Sequence, residues 1–181
     1  MATSKTSSFW LTEVVSLPLT AVTGDRAEGT IDLGAYVDVG DQQALAIEQV
    51  DIIWQRSSTF DSNVEAFLTA NGTVGGQLTD LNPGTVFVRA DDNNLIASGA
   101  MNIDASNNLS TTATDFYPDT FGKLDEARIV VNDQLYFTVG VDGADIGTAA
   151  LYATVRIKCR IVKLSTKDWM AIAIQSTASD N

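Results

Sequence analysis

The side chains best suited to chemistry in this 181-residue chain are carboxylates, in three close groups: Asp91-Asp92, Asp125-Glu126, and Asp142 with Asp145. Paired carboxylates can flank a glycosidic bond as acid and base or nucleophile, and hard oxygens from loops are what calcium takes. Each group here falls in a predicted turn among Gly and Asn, where aspartate is common because it hydrogen-bonds its own backbone. No Asp-x-Asp-x-Asp-Gly loop occurs, so structural calcium has no motif behind it, and no cofactor is expected. The chain has no histidine, which removes the commonest general base, the usual triad member and the commonest zinc ligand. Cys159 is the only cysteine; among Val155, Ile157 and Ile161 it reads as a small buried hydrophobe rather than a nucleophile. Gly72 to Gly76 lacks the Gly-Lys-Ser/Thr of a phosphate loop and precedes no predicted helix, so it reads as a flexible turn. Asn71-Gly72-Thr73 and Asn108-Leu109-Ser110 match the glycosylation acceptor pattern, which is common by chance. The expectation is a protein that is not an enzyme.

The cations are more informative. The chain carries 23 acidic and 11 basic residues, a net charge of −12, with a pI near 4.1. Yet Arg156, Lys158, Arg160, Lys163 and Lys167 crowd into the last 26 positions, against only Asp168 and Asp180 there. Phosphates would be repelled by most of such a surface, so any nucleic-acid contact is local to this stripe. Two readings of the stripe stay open. Its neighbours in the sheet supply carboxylates opposite the cations, or it meets an acidic partner, either another subunit or nucleic acid.

The element that must position those cations is Ala149 to Leu164. Leu151, Ala153, Val155, Ile157, Cys159 and Ile161 alternate with Tyr152, Thr154, Arg156, Lys158 and Arg160, the period of a strand with one dry and one wet face. At about 3.3 Å per residue it reaches roughly 50 Å, long enough to expect a bend or bulge. Phe9 to Thr20 reads as a first strand, with Pro18 ending it or confining it to an edge. Gly29 to Val39 follows, with Ile31, Leu33, Ala35, Val37 and Val39 apolar, and then Ala44 to Gln55, with Val50, Ile52 and Trp54 on one face. Val64, Ala66 and Leu68 fit a short strand or a helical turn. Val86 to Ala90 and Leu95 to Ile103 read as a hairpin about Asp91-Asp92-Asn93-Asn94. Leu109 to Tyr117 reads as a strand, with a loop or short helix over Lys123 to Glu126. Ile129 to Val131 and Leu135 to Val141 are separated by a turn or bulge at Asn132-Asp133. Trp169 to Ile174 reads as a final strand. No helix of ten residues is expected.

Eight to ten strands and no fixed repeat give an all-β class, an antiparallel two-sheet sandwich. The chain makes one domain, residues 1–181, with short flexible ends at about 1–8 and 176–181. No apolar run approaches the roughly 18 residues of a membrane helix, and residues 1–8 lack the apolar region of a secretory signal.

In Ile47-Glu-Gln-Val-Asp-Ile-Ile-Trp54, Val130-Val-Asn-Asp-Gln-Leu-Tyr-Phe-Thr-Val139 and Tyr152 to Leu164 the chain resembles the single jelly-roll capsid (coat) proteins of small icosahedral viruses. Among these it is most similar to short acidic ones of marine or halophilic microbial hosts. The resemblance covers about residues 9–175 and implies a single jelly roll of about eight strands. It further implies a shell subunit located in the virion that self-assembles around the genome, with copies of itself and other virion proteins as partners. Many such proteins carry an arginine-rich arm, whereas Met1 to Ser8 offers only Lys5, so genome contact would come from the Arg156 stripe, from another protein, or not at all. Two alternatives stand beside it: a phage tail or adhesin sandwich, and a carbohydrate-binding jelly roll using Tyr36, Trp54, Phe60 and Tyr117 as an aromatic row.

Overall fold

The computed structural model describes residues 2–57, 59–61, 63, 66–112 and 127–177, with side chains to residue 175. The expectations for Val64, 113–117 with Tyr117, Lys123 to Glu126 and Asp180 lie outside the described residues. Ten strands and one helix are seen: β1 (Thr3–Ser4), β2 (Phe9–Leu17), β3 (Arg26–Asp32), β4 (Gln43–Arg56), β5 (Gly72–Thr79), β6 (Leu95–Asp104), β7 (Leu109–Thr112), β8 (Arg128–Val130), β9 (Gln134–Asp142), β10 (Leu151–Lys163) and α1 (Thr166–Thr177). They form two antiparallel sheets. Sheet A has the order β2-β10-β4-β8, with β1 also on β10, and sheet B the order β3-β9-β5-β6-β7. Chain order thus alternates between the sheets so that the last long strand returns beside the first, the double Greek key of a jelly roll.

The spanning strand is where its alternation placed it. Leu151, Ala153, Val155, Ile157 and Cys159 are fully buried and share one core with Leu135, Phe137, Val139 and Val141 of β9. Burying each large side chain of that set is worth about 1.5–3 kcal/mol. The expected irregularity lies between β10 and β4. Lys158 pairs with Gln49 but Cys159 with Ile47, so Glu48 is an extra residue in β4. A bulge of one residue turns every later side chain over. Val50, Ile52 and Trp54 therefore face the core together with Leu45 and Ile47, while Ala44 and Ala46 face outward.

That outward end of sheet A is covered by α1, and here the expectation of a final strand is corrected. Trp169, Ile172 and Ala173, spaced as one helical face, pack on Ala44, Ala46, Val131, Val162 and Leu164. Both alternating sets of 169–174 are apolar, so the period of two carried no contrast. The discriminating signal was Ser165-Thr166-Lys167-Asp168, an N-cap with an acid three residues on; the Asp168 amide donates to Ser165 Oγ at 3.2 Å.

The expected hairpin is also corrected. Residues 86–90 form no strand, and the partner of β6 is β5, over the stretch read as a flexible turn. Its glycines had argued against a strand, but neighbouring rings require them. A Cβ on Gly76 would sit 3.1 Å from the Phe137 ring, and one on Gly75 would sit 3.3 Å from the Phe87 ring. Residues 81–90 instead cross the outside of sheet B. The Gln77 amide holds them as a strand edge would, donating to Val88 O (3.0 Å) and accepting from Val88 N (2.8 Å). Asn132-Asp133 is neither a hairpin turn nor a bulge, because β8 belongs to sheet A and β9 to sheet B. The strand expected over Gly29 to Val39 starts at Arg26 and stops at Asp32. There Asp32 Oδ1 accepts the Gly34 amide at 2.8 Å and the chain turns toward β4.

Candidate functional site: the outer face of sheet A

Three strands present the wet face of β10 and its neighbours. In register, the outward rows are Ser16, Tyr152 and Gln55; Val14, Thr154 and Ile53; Thr12, Arg156 and Asp51; and Trp10, Lys158 and Gln49. Helix α1 covers only the far end, beyond Glu48. The open rows keep large apolar side chains in solvent: Val14 is 52% exposed, Trp10 42% and Ile53 37%, and Phe60, 63% exposed, lies against Tyr152 with ring centroids 6.1 Å apart. Clustered exposed apolar groups on a soluble domain mark contact surfaces more often than chance placement does.

The five cations expected to act together divide into three environments. Arg156 is exposed, and its guanidinium lies 4.7 Å from the centre of the Trp10 ring, a cation–π pair. Lys158 stands beside it, between Trp10 and Gln49 in the sheet register. Arg160 instead turns to Glu48, with which it forms an ion pair; Ser8 Oγ donates to the other Glu48 oxygen at 2.7 Å. Lys163, at the end of β10, and Lys167, in the first turn of α1, are exposed at the opposite end of the strand. Among the described residues neither Arg156 nor Lys158 has a carboxylate within ion-pair distance. Asp51, opposite Arg156, instead accepts from Gln49 Nε2 at 2.9 Å.

Of the carboxylates singled out for chemistry, Asp125 and Glu126 lie outside the described residues, and the other four are engaged in turns or, for Asp142, at the end of β9. Asp91 pairs with Arg89 at 3.0 Å, both exposed, and Asp92 Oδ1 accepts the Asn94 amide. Asp142 pairs with Arg26 at 2.6 Å, and Asp145 Oδ1 accepts the Thr23 amide at 2.9 Å. Among the described residues no three acidic, cysteine or histidine side chains are grouped as a metal would need.

Cys159 is fully buried; burial pushes its thiol up to about 12, and the charge of Glu48 pushes the same way. Of the aromatic row, Tyr36 lies at a tilt against Phe9, ring centroids 5.2 Å apart, and packs on the main core, as does Trp54. Only Phe60 is strongly exposed among the described members.

Two buried charges escaped the sequence reading. Glu48 had a signal, the break in alternation between Ile47 and Val50. Asp80 had none: it lies at the end of β5, 2% exposed, 3.2 Å from Arg128 and beside a cavity of about 180 Å³ under Ile172 and Gln175. Burial raises its carboxyl above the ordinary value, with Arg128 opposing.

No protein-family model matches the chain, and no curated protein matches it. Among solved structures it is similar to a chain of desmodium yellow mottle tymovirus, with a TM-score of 0.33 and 8% identity over 87% of this chain and 89% of that one.

Proposed function

We propose that the chain is a coat subunit, a structural protein that assembles with copies of itself into a viral shell and is located in the virion. The observation that carries this reading is the open half of sheet A. There Val14, Ile53, Tyr152, Phe60 and Trp10 surround Arg156 and Lys158, on a jelly roll whose other charges are mostly negative. Jelly rolls also serve lectins and enzymes, so fold alone does not separate these functions. An apolar face carrying cations suits an acidic protein surface. Genome contact, if the shell encloses one, is confined to the same cations, because the net charge of −12 repels phosphate elsewhere. Other virion proteins are secondary partners in this reading, and no catalytic role is assigned.

Negative-stain microscopy and light scattering of the purified protein across a salt series test it. The expected outcome is regular particles whose yield depends on salt, since exposed charge contacts are screened. Arg156→Glu with Lys158→Glu should leave the melting temperature nearly unchanged, because exposed charges contribute only about 0–1 kcal/mol each, and should abolish particles. Normal particles from that variant would remove the two cations from the contact. If the variant instead melts early, the cations serve their own sheet.

A further inference from the structure

We infer that the open face of sheet A receives the 38–42 turn of a neighbouring copy, in a head-to-tail contact. The inference rests on the shell reading and names the surface that completes it.

The turn is built to project. Asp38 and Gln43 bond each other's backbone in both directions, at 3.0 and 2.8 Å, closing a small loop over Val39, Gly40, Asp41 and Gln42. Asp38 Oδ1 accepts the Gly40 amide at 2.8 Å, and Gln42 is held at a φ of 53°. The base is fastened by Gln43 Nε2 to Tyr36 O at 2.9 Å and by the Tyr36 ring on Phe9. Such a loop loses little freedom on docking. At its tip Val39 is 65% exposed, between Asp38 and Asp41. From residue 27 to residue 55 the chain contains no lysine or arginine; Lys5 and Lys163 meet the base of the turn at Gln43, and among the described residues neither carboxylate forms an ion pair.

The tip and the face are complementary in both respects that matter. An apolar knob flanked by carboxylates faces an apolar shelf, Val14 and Ile53, with Arg156 in the next row and Lys158 in the row after it. They cannot meet within one molecule. Gln43 pairs with Lys163, whereas the shelf residue Ile53 pairs with Thr154, nine residues further along β10, a separation of roughly 30 Å at about 3.3 Å per residue. A surface pair placed at opposite ends of one subunit joins unlike patches on successive copies, and such contacts close into rings or run on as filaments. Rings are the units from which a closed shell is made.

The test uses two single variants and their mixture, in the full chain. Val39→Asp spoils the tip and leaves the face; Val14→Asp spoils the face and leaves the tip. Both sites are exposed, so each variant should melt within a few degrees of the parent, and each alone should self-associate at least about a hundredfold more weakly, because Val39→Asp buries a charge against the apolar shelf of Val14 and Ile53 and Val14→Asp buries one against the acidic tip. Mixed in equal amounts, they retain one good tip and one good face. Analytical ultracentrifugation should then show a one-to-one dimer that grows no further. Exchanging charges, Asp41→Lys with Lys158→Glu, should restore assembly that either substitution alone reduces. Particle formation by Val39→Asp or Val14→Asp at the parent's level would overturn this contact while leaving the shell reading in place, as would a mixture that stays monomeric. A parent protein that remains monomeric at every concentration and salt would overturn both.

Discussion

The carboxylate of Glu48, the extra residue in β4, is closed off by Arg160 of β10 across the break in strand register. Glu48 is 6% exposed, so its charge depends on that guanidinium and on the Ser8 hydroxyl. Removing one partner of a buried pair strands the other, at a cost of about 3–5 kcal/mol. Arg160→Ala should therefore lower Tm by roughly 6–20 °C in a chain of this size. Glu48→Leu with Arg160→Met should recover most of the loss, because apolar replacement removes both charges together. Calorimetry of the three proteins checks this; equal losses in the single and double variants would mean that the bulge geometry, and not the charge, is what matters.

Asp80 gives the protein a contribution to pH dependence of unusual sign. Burial raises its carboxyl above the 3.8 of an ordinary aspartate, against the pull of Arg128. The folded state holds that proton more tightly than the unfolded chain, so this contribution favours folding below 3.8 and is lost as pH rises through the raised value. Asp80→Asn should remove it. The Tm of the parent minus that of the variant should fall as pH increases from about 3 through the window above 3.8, and a difference that is flat or rises would contradict the assignment.

With its thiol pushed up to about 12, Cys159 stays protonated at any working pH and lies sealed in the core. Thiol reagents at pH 8 should label the native protein no faster than it unfolds, and should label it at once in denaturant. Rapid stoichiometric labelling of the folded chain would show that sheet A opens at β10.

Ile157→Asp should prevent folding. The side chain is fully buried midway along β10, and an unpaired charge there costs several kcal/mol, a large part of the stability of an ordinary domain. Ala149→Asp, just ahead of β10 and 8% exposed, should be milder. Circular dichroism and thermal melts of both variants distinguish them.

Alternation was legible wherever one face is dry and the other wet. β2, the core of β4 and β10 were placed from it, because Val155 beside Arg156 leaves no doubt about direction. It failed where both alternating sets are apolar, even though Met170 and Ile174 are exposed. In 169–174 every residue is apolar, and the capping signal of Ser165 and Asp168 carried the information that the period did not. β5 was hidden for the opposite reason: Gly75 and Gly76 look like a loop until Phe87 and Phe137 are set against them in space. The cations of the candidate face were found by their crowding in sequence, yet Arg160 was claimed by a carboxylate more than a hundred residues away. The acidic tip at 38–42 was read as strand and loop, because nothing local marks a turn as one that another molecule will touch.

The pairing of β10 has a consequence for how fast this chain reaches its fold. It is hydrogen-bonded along both edges, to β1 and β2 on one side and β4 on the other, and the Cys159 thiol meets the Phe9 carbonyl across 150 positions of sequence. β2 and β4 share no pairing of their own, so sheet A has no centre until residues 151–163 slide between them. Closing so long a loop precedes any return from the contacts it makes, which places refolding on a scale of roughly milliseconds to seconds or slower. The same arrangement makes departure slow. To leave, the strand must break two ladders together, and a chain held this way persists by its barrier to unfolding as well as by its equilibrium stability.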